Sequence, residues 1–253
     1  MRKVRSFTVA AAAIAGLGLA ATPALAENVY TIDGSGTTGG TPSKPKPAKL
    51  TASFTIRSGN DLIPDVVKEY RISIEGGRLN KAALNKLAKC KANGLTDAVQ
   101  TNTQCPSKSV VGSGQLTAAV GKPGNPIVRP NLVCALPFNL YNTGGGNLGL
   151  FINATSDQCP IPVKQWIVVK VTQKGRTVTT AFVTPENLQQ PLEGTFSPVT
   201  DTTFSLKPIM VKVGKKKQSV TESIGCTDGK RDVSVTFVER SGRTVVAKKT
   251  LKC

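Results

Sequence analysis

Leu50-Thr51-Ala52-Ser53-Phe54-Thr55-Ile56-Arg57 alternates without a fault. Leu50, Ala52, Phe54 and Ile56 fall on one side, and Thr51, Ser53, Thr55 and Arg57 on the other. Successive side chains of a strand point to opposite faces, so this pattern predicts a half-buried β-strand. The rest of the chain repeats the theme. Tyr70 to Glu75 predicts a second short strand, ending at the turn signal Gly76-Gly77, with Pro64 opposing a helix in between. Ile127 to Tyr141 and Leu148 to Asn153 flank Gly144-Gly145-Gly146, and Trp166 to Thr172 and Thr177 to Thr184 flank Gln173-Lys174-Gly175-Arg176. The first pair predicts a hairpin or adjacent strands, and the second a hairpin. A third hairpin is expected at the end, where Val233, Val235 and Phe237 alternate with polar residues. The chain turns there at Glu239-Arg240-Ser241-Gly242 and returns through Arg243 to Lys252. Gly-Arg-Thr-Val stands at both Gly175–Val178 and Gly242–Val245, which reused turn chemistry explains without a duplication.

One segment carries a different period. Ala83, Leu84, Leu87 and Ala88 recur at helical spacing after Asn80, a residue suited to capping, while Lys81, Lys86 and Lys89 face out. This predicts one short helix, stopped at Gly94 and followed by a polar loop, Thr96 to Gln104. Strand character resumes from Val110 to Val120, where Gly112 and Gly114 suggest a bulge or a close backbone crossing.

The start of the chain gives a compartment. Arg2, Lys3 and Arg5 precede an apolar run from Phe7 to Ala21 and an Ala24-Leu25-Ala26 ending, the pattern of a secretory signal peptide cleaved after Ala26. The run falls short of the roughly 20 residues that span a bilayer. Arg2 and Arg5 are not adjacent, and no lipobox precedes the cleavage point. Residues 27 to 49, rich in Gly, Pro and Lys, are expected to form a flexible tail, leaving residues 50 to 253 for the folded domain.

Six cysteines in an exported chain read as disulfides. Sequence leaves the connectivity open, and neighbour pairing is the expectation: Cys90 with Cys105, Cys134 with Cys159, and Cys226 with Cys253. In the last strand Val245, Ala247, Leu251 and Cys253 share one parity, so the last pair would pin the carboxyl terminus. No Cys-x-x-Cys spacing occurs and the chain has no histidine, so no metal site and no cofactor are expected.

The missing histidine also removes the usual Ser-His-Asp and Cys-His arrangements. Ser43-x-x-Lys46 sits in the proline-rich lead-in, where nothing would preorganise it. Carboxylates remain: Glu186, Glu193 and Asp201 lie near one another in sequence, and Asp228 and Asp232 flank a basic turn. A glycosidase would need two of them facing each other across a sugar. Two cations inside Asp228-Gly229-Lys230-Arg231-Asp232 argue against a calcium loop. Trp166, the sole tryptophan, reads as core, and Asn153-Ala154-Thr155 as a chance match to a glycosylation acceptor.

The order of a leucine-rich helical segment ending near Cys90, then Cys105-Pro106-x-x-Ser109-x-Val111-Gly112-x-Gly114, resembles a family of secreted actinobacterial proteins of the Solirubrobacter kind. The likeness runs on through Phe138-Asn139-Leu140-Tyr141, Pro185 to Phe204, and Cys226 to Cys253, most of the chain after Ala26. The family carries no assigned activity. The resemblance therefore implies an architecture and a compartment, and no functional residues.

Basic residues number 33 against 15 acidic, a net charge of +18. Such an excess attracts polyanions, yet no nucleic-acid-binding motif accompanies it. The expectation is a mostly β protein, an antiparallel β-sandwich with one short helix, disulfide-braced, secreted or associated with the cell envelope. Its expected role is non-catalytic: contact with an anionic envelope polymer, or with a surface protein, through basic loops. Lys215, Lys216, Lys217, Lys230 and Arg231 are the candidate polyanion-binding residues. A carbohydrate-active enzyme using carboxylates and a protein-partner module are the alternatives.

Overall fold

A computed structural model describes residues 27–90, 105–129 and 132–253. The signal-peptide reading of residues 1–26, the stop at Gly94 and the loop from Thr96 to Gln104 lie outside the described residues. The strands in chain order are β1 (Val29–Gly36), β2 (Lys46–Pro47), β3 (Leu50–Arg57), β4 (Val67–Glu75), β5 (Gly77–Leu79), β6 (Val110–Ala119), β7 (Val133–Gly144) and β8 (Asn147–Ala154). They continue with β9 (Val163–Lys174), β10 (Thr177–Val183), β11 (Val199–Leu206), β12 (Met210–Val213), β13 (Lys216–Ser219), β14 (Thr221–Ser223), β15 (Lys230–Glu239) and β16 (Thr244–Lys252). Two single-turn helices, α1 (Lys81–Leu84) and α2 (Glu186–Gln189), interrupt them.

Eleven strands form one sheet in the order β1-β3-β11-β6-β7-β8-β9-β10-β4-β15-β16, every neighbour antiparallel. The sheet curls on itself into a nearly closed, barrel-like sandwich. An odd number of alternating strands leaves the two edge strands running parallel, so an antiparallel ladder cannot close the seam. Side chains and chain ends bridge it instead. Arg243 meets Glu27, Lys249 Nζ lies 3.8 Å from Asp33 Oδ1, and the Gly39 amide donates to the Cys253 carbonyl at 2.8 Å. These partners ascend together along β1 and β16, as parallel edges require.

The interior follows from period-two alternation. Phe54 and Ile56 on β3, Tyr70 and Ile72 on β4, and Val235 and Phe237 on β15 pack into one aromatic-rich cluster. Leu136, Phe138 and Leu140 on β7 and Leu148, Leu150 and Ile152 on β8 belong to a second. Gly112 and Gly114 of β6 mark close approaches, with the register shifting between Val110 and Gly112. A β-carbon at Gly112 would lie 2.6 Å from Leu206 Cδ2, so the bulge and the crossing read from the glycines are both present.

One pole is plugged. The three-stranded sheet β2-β14-β5, helix α1 and the β12–β13 hairpin gather there, with Ala83, Leu84 and Val220 fully buried among the second cluster. The disulfides pair Cys90 with Cys105, Cys134 with Cys159 and Cys226 with Cys253, the sequential connectivity. The first sits on the outer face of β7, β8 and β9, where Cys90 packs with Tyr141, Phe151 and Trp166.

Four expectations need correction. Residues 27–49 do not form a flexible tail: Val29–Gly36 is paired to β3 along its whole length, and Lys46–Pro47 pairs with β14. The exposed face of β1 is Val29, Thr31, Asp33 and Ser35, and its Gly/Ser content suggests a linker although Gly34 and Gly36 lie in the strand. The helix expected between Asn80 and Gly94 is, among the described residues, the single turn Lys81–Leu84. Asn80 caps it by accepting from the Ala83 amide at 3.1 Å, but the buried Asn142 amide donates to the Leu84 and Ala88 carbonyls at 2.9 and 3.1 Å. A second turn, α2, was not expected. Finally, the strand predicted from Ile127 begins only at Val133.

Candidate functional site

The pole opposite the plug holds a half-enclosed cavity of about 640 Å³ inside the barrel. That size lies within the range of small-molecule sites, roughly 300–1,000 Å³. Leu116, Leu136, Leu150, Ile152 and Ile167 form its walls, and Phe54, Tyr70 and Phe182 contribute aromatic surface. The Tyr70 and Phe182 rings stack at 5.0 Å and those of Phe54 and Tyr70 lie 5.6 Å apart, so this aromatic surface is a packed unit. The Cys134–Cys159 bridge lies in the wall and ties the start of β7 to the turn after β8.

The mouth is apolar as well. Leu132, Ile161 and Leu192 line the cavity and are 37%, 38% and 59% exposed. Large apolar side chains left in water around a concavity mark binding surfaces. Pro160, Pro162 and Pro191 stand beside them, which stiffens the rim segments. A small polar group completes the site: the Asn187 amide donates to Gln165 Oε1 at 3.0 Å, and the Gln189 amide to the Thr184 carbonyl at 2.7 Å. Among the described residues that line the cavity there is no carboxylate.

Three buried oxygens lack a protein partner here: the hydroxyl of Tyr70, a lining residue, and the Thr202 hydroxyl and Gln189 Oε1, on elements whose neighbouring residues line the cavity. Tyr70 is 2% exposed. Thr202 sits on β11 in register with Phe54 and Leu116, both cavity-lining, so its side chain shares their face. Burial pushes the Tyr70 phenol well above its ordinary range, and it stays a protonated donor. Alternation shows Tyr70, Ile72 and Ile74 facing inward, but no sequence signal shows that the hydroxyl is left alone.

The five basic residues expected to contact a polyanion differ in their surroundings. Lys215 lies in the β12–β13 turn with Lys216 and Lys217 following on β13, all exposed at the plugged pole, opposite the cavity mouth. Lys230 is exposed at the start of β15. Arg231 is buried, at 1% exposure, and cannot contact a polymer. Its Nε donates to the Glu75 carbonyl at 3.1 Å, and Nη2 to the Thr37 carbonyl and Ser223 Oγ at 3.0 and 3.1 Å. Burial lowers its pKa, opposed by the charge of Glu75, but a guanidinium stays charged. It fastens the N-terminal segment, β4 and β14 together.

The carboxylates weighed for catalysis do not converge either. Glu186 pairs with Arg240 and Asp201 with Arg57, toward the open pole. Asp228 and Asp232 lie at the other end, where Asp228 accepts from the Lys230 amide and Asp232 from Thr250. Glu193 is exposed. Trp166 is 8% exposed, packs with Cys90, Tyr141 and Phe151, and is core. Among the described residues, no three Cys, Asp or Glu side chains gather as a metal site requires.

Fold and site together define an antiparallel β-barrel-like sandwich with one plugged pole and an apolar chamber at the other. No family model, curated protein or solved structure matches the chain.

Proposed function

We propose that the protein is a non-catalytic binding protein of the extracellular or envelope compartment that holds an apolar molecule in the barrel chamber. The observation that carries this reading is the half-enclosed cavity of about 640 Å³ with Leu132, Ile161 and Leu192 exposed at its mouth. Three disulfides support an oxidising compartment. Among the described residues no helix is long and apolar enough to cross a membrane.

Titration with the apolar fluorophore N-phenyl-1-naphthylamine tests it. The protein should bind the dye with a blue-shifted, enhanced emission that persists at high salt. Ala118 lines the cavity at 1% exposure, and Ala118→Phe should weaken binding about tenfold or more by filling the space. Leu192→Asp at the exposed rim is the companion variant if the core substitution unfolds the chain. Binding that neither variant alters would overturn the reading.

A second reading, contact with an anionic polymer, has its own support. Lys212, Lys215, Lys216 and Lys217 are exposed on one hairpin, and among the described residues none of them forms an ion pair. Retention on immobilised polyphosphate should then fall steeply with salt, as counterion release requires. Replacing Lys215, Lys216 and Lys217 by glutamine should bring elution to lower salt. Salt-independent retention, or elution unchanged by the triple replacement, contradicts it.

A further inference from the structure

Resting on the chamber reading, we infer that the ligand is a neutral apolar molecule bearing a hydrogen-bonding oxygen at its buried end, received by the hydroxyls of Tyr70 and Thr202.

The walls alone would accept any hydrocarbon of suitable size. Partnerless oxygens narrow the class. A buried polar group without a partner costs about 1–3 kcal/mol, and native proteins hold few of them. Of the five such atoms among the described residues, three belong to Tyr70, Thr202 and Gln189, on elements that surround this chamber. Two of the three are hydroxyls, able both to donate and to accept.

Charge narrows it further. The only ionisable side chains among the described lining residues are Tyr70 and Lys164. Lys164 is exposed and shares the strand parity of Trp166, on the outer face. A carboxylate or phosphate carried to the aromatic end would therefore meet no cation, and an unpaired buried charge is far costlier than an unpaired hydroxyl. An alcohol, ketone or ether oxygen on an apolar skeleton meets both conditions.

The test uses matched probes that share one skeleton: farnesene, farnesol and farnesoate, each competing against N-phenyl-1-naphthylamine. Farnesol should bind about tenfold more tightly than farnesene, the scale of one satisfied buried hydrogen bond. That preference should disappear in Tyr70→Phe, or in the companion variant Thr202→Val. Tyr70→Phe should at the same time unfold at a higher temperature than the parent, because it removes a hydroxyl with no protein partner. A lost preference in a more stable protein separates ligand recognition from a folding defect. Equal binding of farnesol and farnesene, or a preference surviving in both variants, overturns the inference while leaving the chamber reading intact. Tighter binding of farnesoate than of farnesol contradicts the neutral class. If none of the three displaces a dye that does bind, the oxygen inference fails; if the dye itself does not bind, the chamber reading fails with it.

Discussion

Replacing Arg231 by alanine should cost about 2–5 kcal/mol of folding stability, while Lys230→Ala, one residue away, should stay within about 0.5 kcal/mol of the parent. The difference comes from where the two side chains end. Arg231 is buried against Gly36 and Cys253; its Nε and Nη2 hold the Thr37 and Glu75 carbonyls and Ser223 Oγ, while Nη1 has no protein partner. Truncation leaves those acceptors without partners and opens a void at the plugged pole. Arg231→Met, which keeps much of the volume, should recover part of the loss and no more, because it supplies no donor. Lys230 is exposed and loses only solvated charge. Denaturant midpoints measured with the disulfides intact check this. Equal losses for Arg231→Ala and Lys230→Ala would return Arg231 to the surface.

The second large effect is expected at Gly149. This glycine lies on β8 beneath the indole of Trp166, and a β-carbon there would overlap the ring. Trp166 stacks at 5.9 Å on Tyr141, lies 6.3 Å from Phe151 and packs in one cluster with Cys90 and Cys105. Valine at 149 would force the indole out of its packing with Tyr141 and Phe151. The cost should be about 3 kcal/mol, the upper end of ordinary overpacking. Because the chain has a single tryptophan, its emission should shift to the red in the same variant. A stable Gly149→Val protein with unchanged emission would mean the indole does not pack there.

Much of this architecture is legible from local rules. Alternation finds β3. Glycine-marked turns find the three hairpins, where Gly145, Gly175 and Gly242 all take positive φ as tight turns require. Cysteine spacing finds the staples. Strand order is not legible, because β11 settles between β3 and β6, and β4 between β10 and β15, through contacts distant in sequence. β1 is concealed by Gly34 and Gly36, which read as linker. Arg231 is the instructive case. Beside Lys230 and near Gly229 it reads as an exposed basic turn, yet it is in phase with Val233, Val235 and Phe237, the buried face of β15. The same phase reaches Glu239, buried and held by Tyr30 at 2.6 Å, Asn28 at 3.2 Å and Arg243 at 3.0 Å. Parity would have placed both charges inside. The chamber is legible only in part. Its walls follow from inward-facing positions, but its volume depends on how far the sheet curls and on what the rim leaves uncovered.

The chamber is tested most directly by methyl-resolved NMR of the folded protein while N-phenyl-1-naphthylamine is added. The expected result is chemical-shift change concentrated at Leu116, Leu136, Leu150 and Ile152, in the cavity wall, with Leu84 and Val220 at the plugged pole unmoved. Shifts gathered at the plugged pole or the Lys215–Lys217 hairpin instead, or none at any dye concentration, would contradict a ligand held inside the barrel.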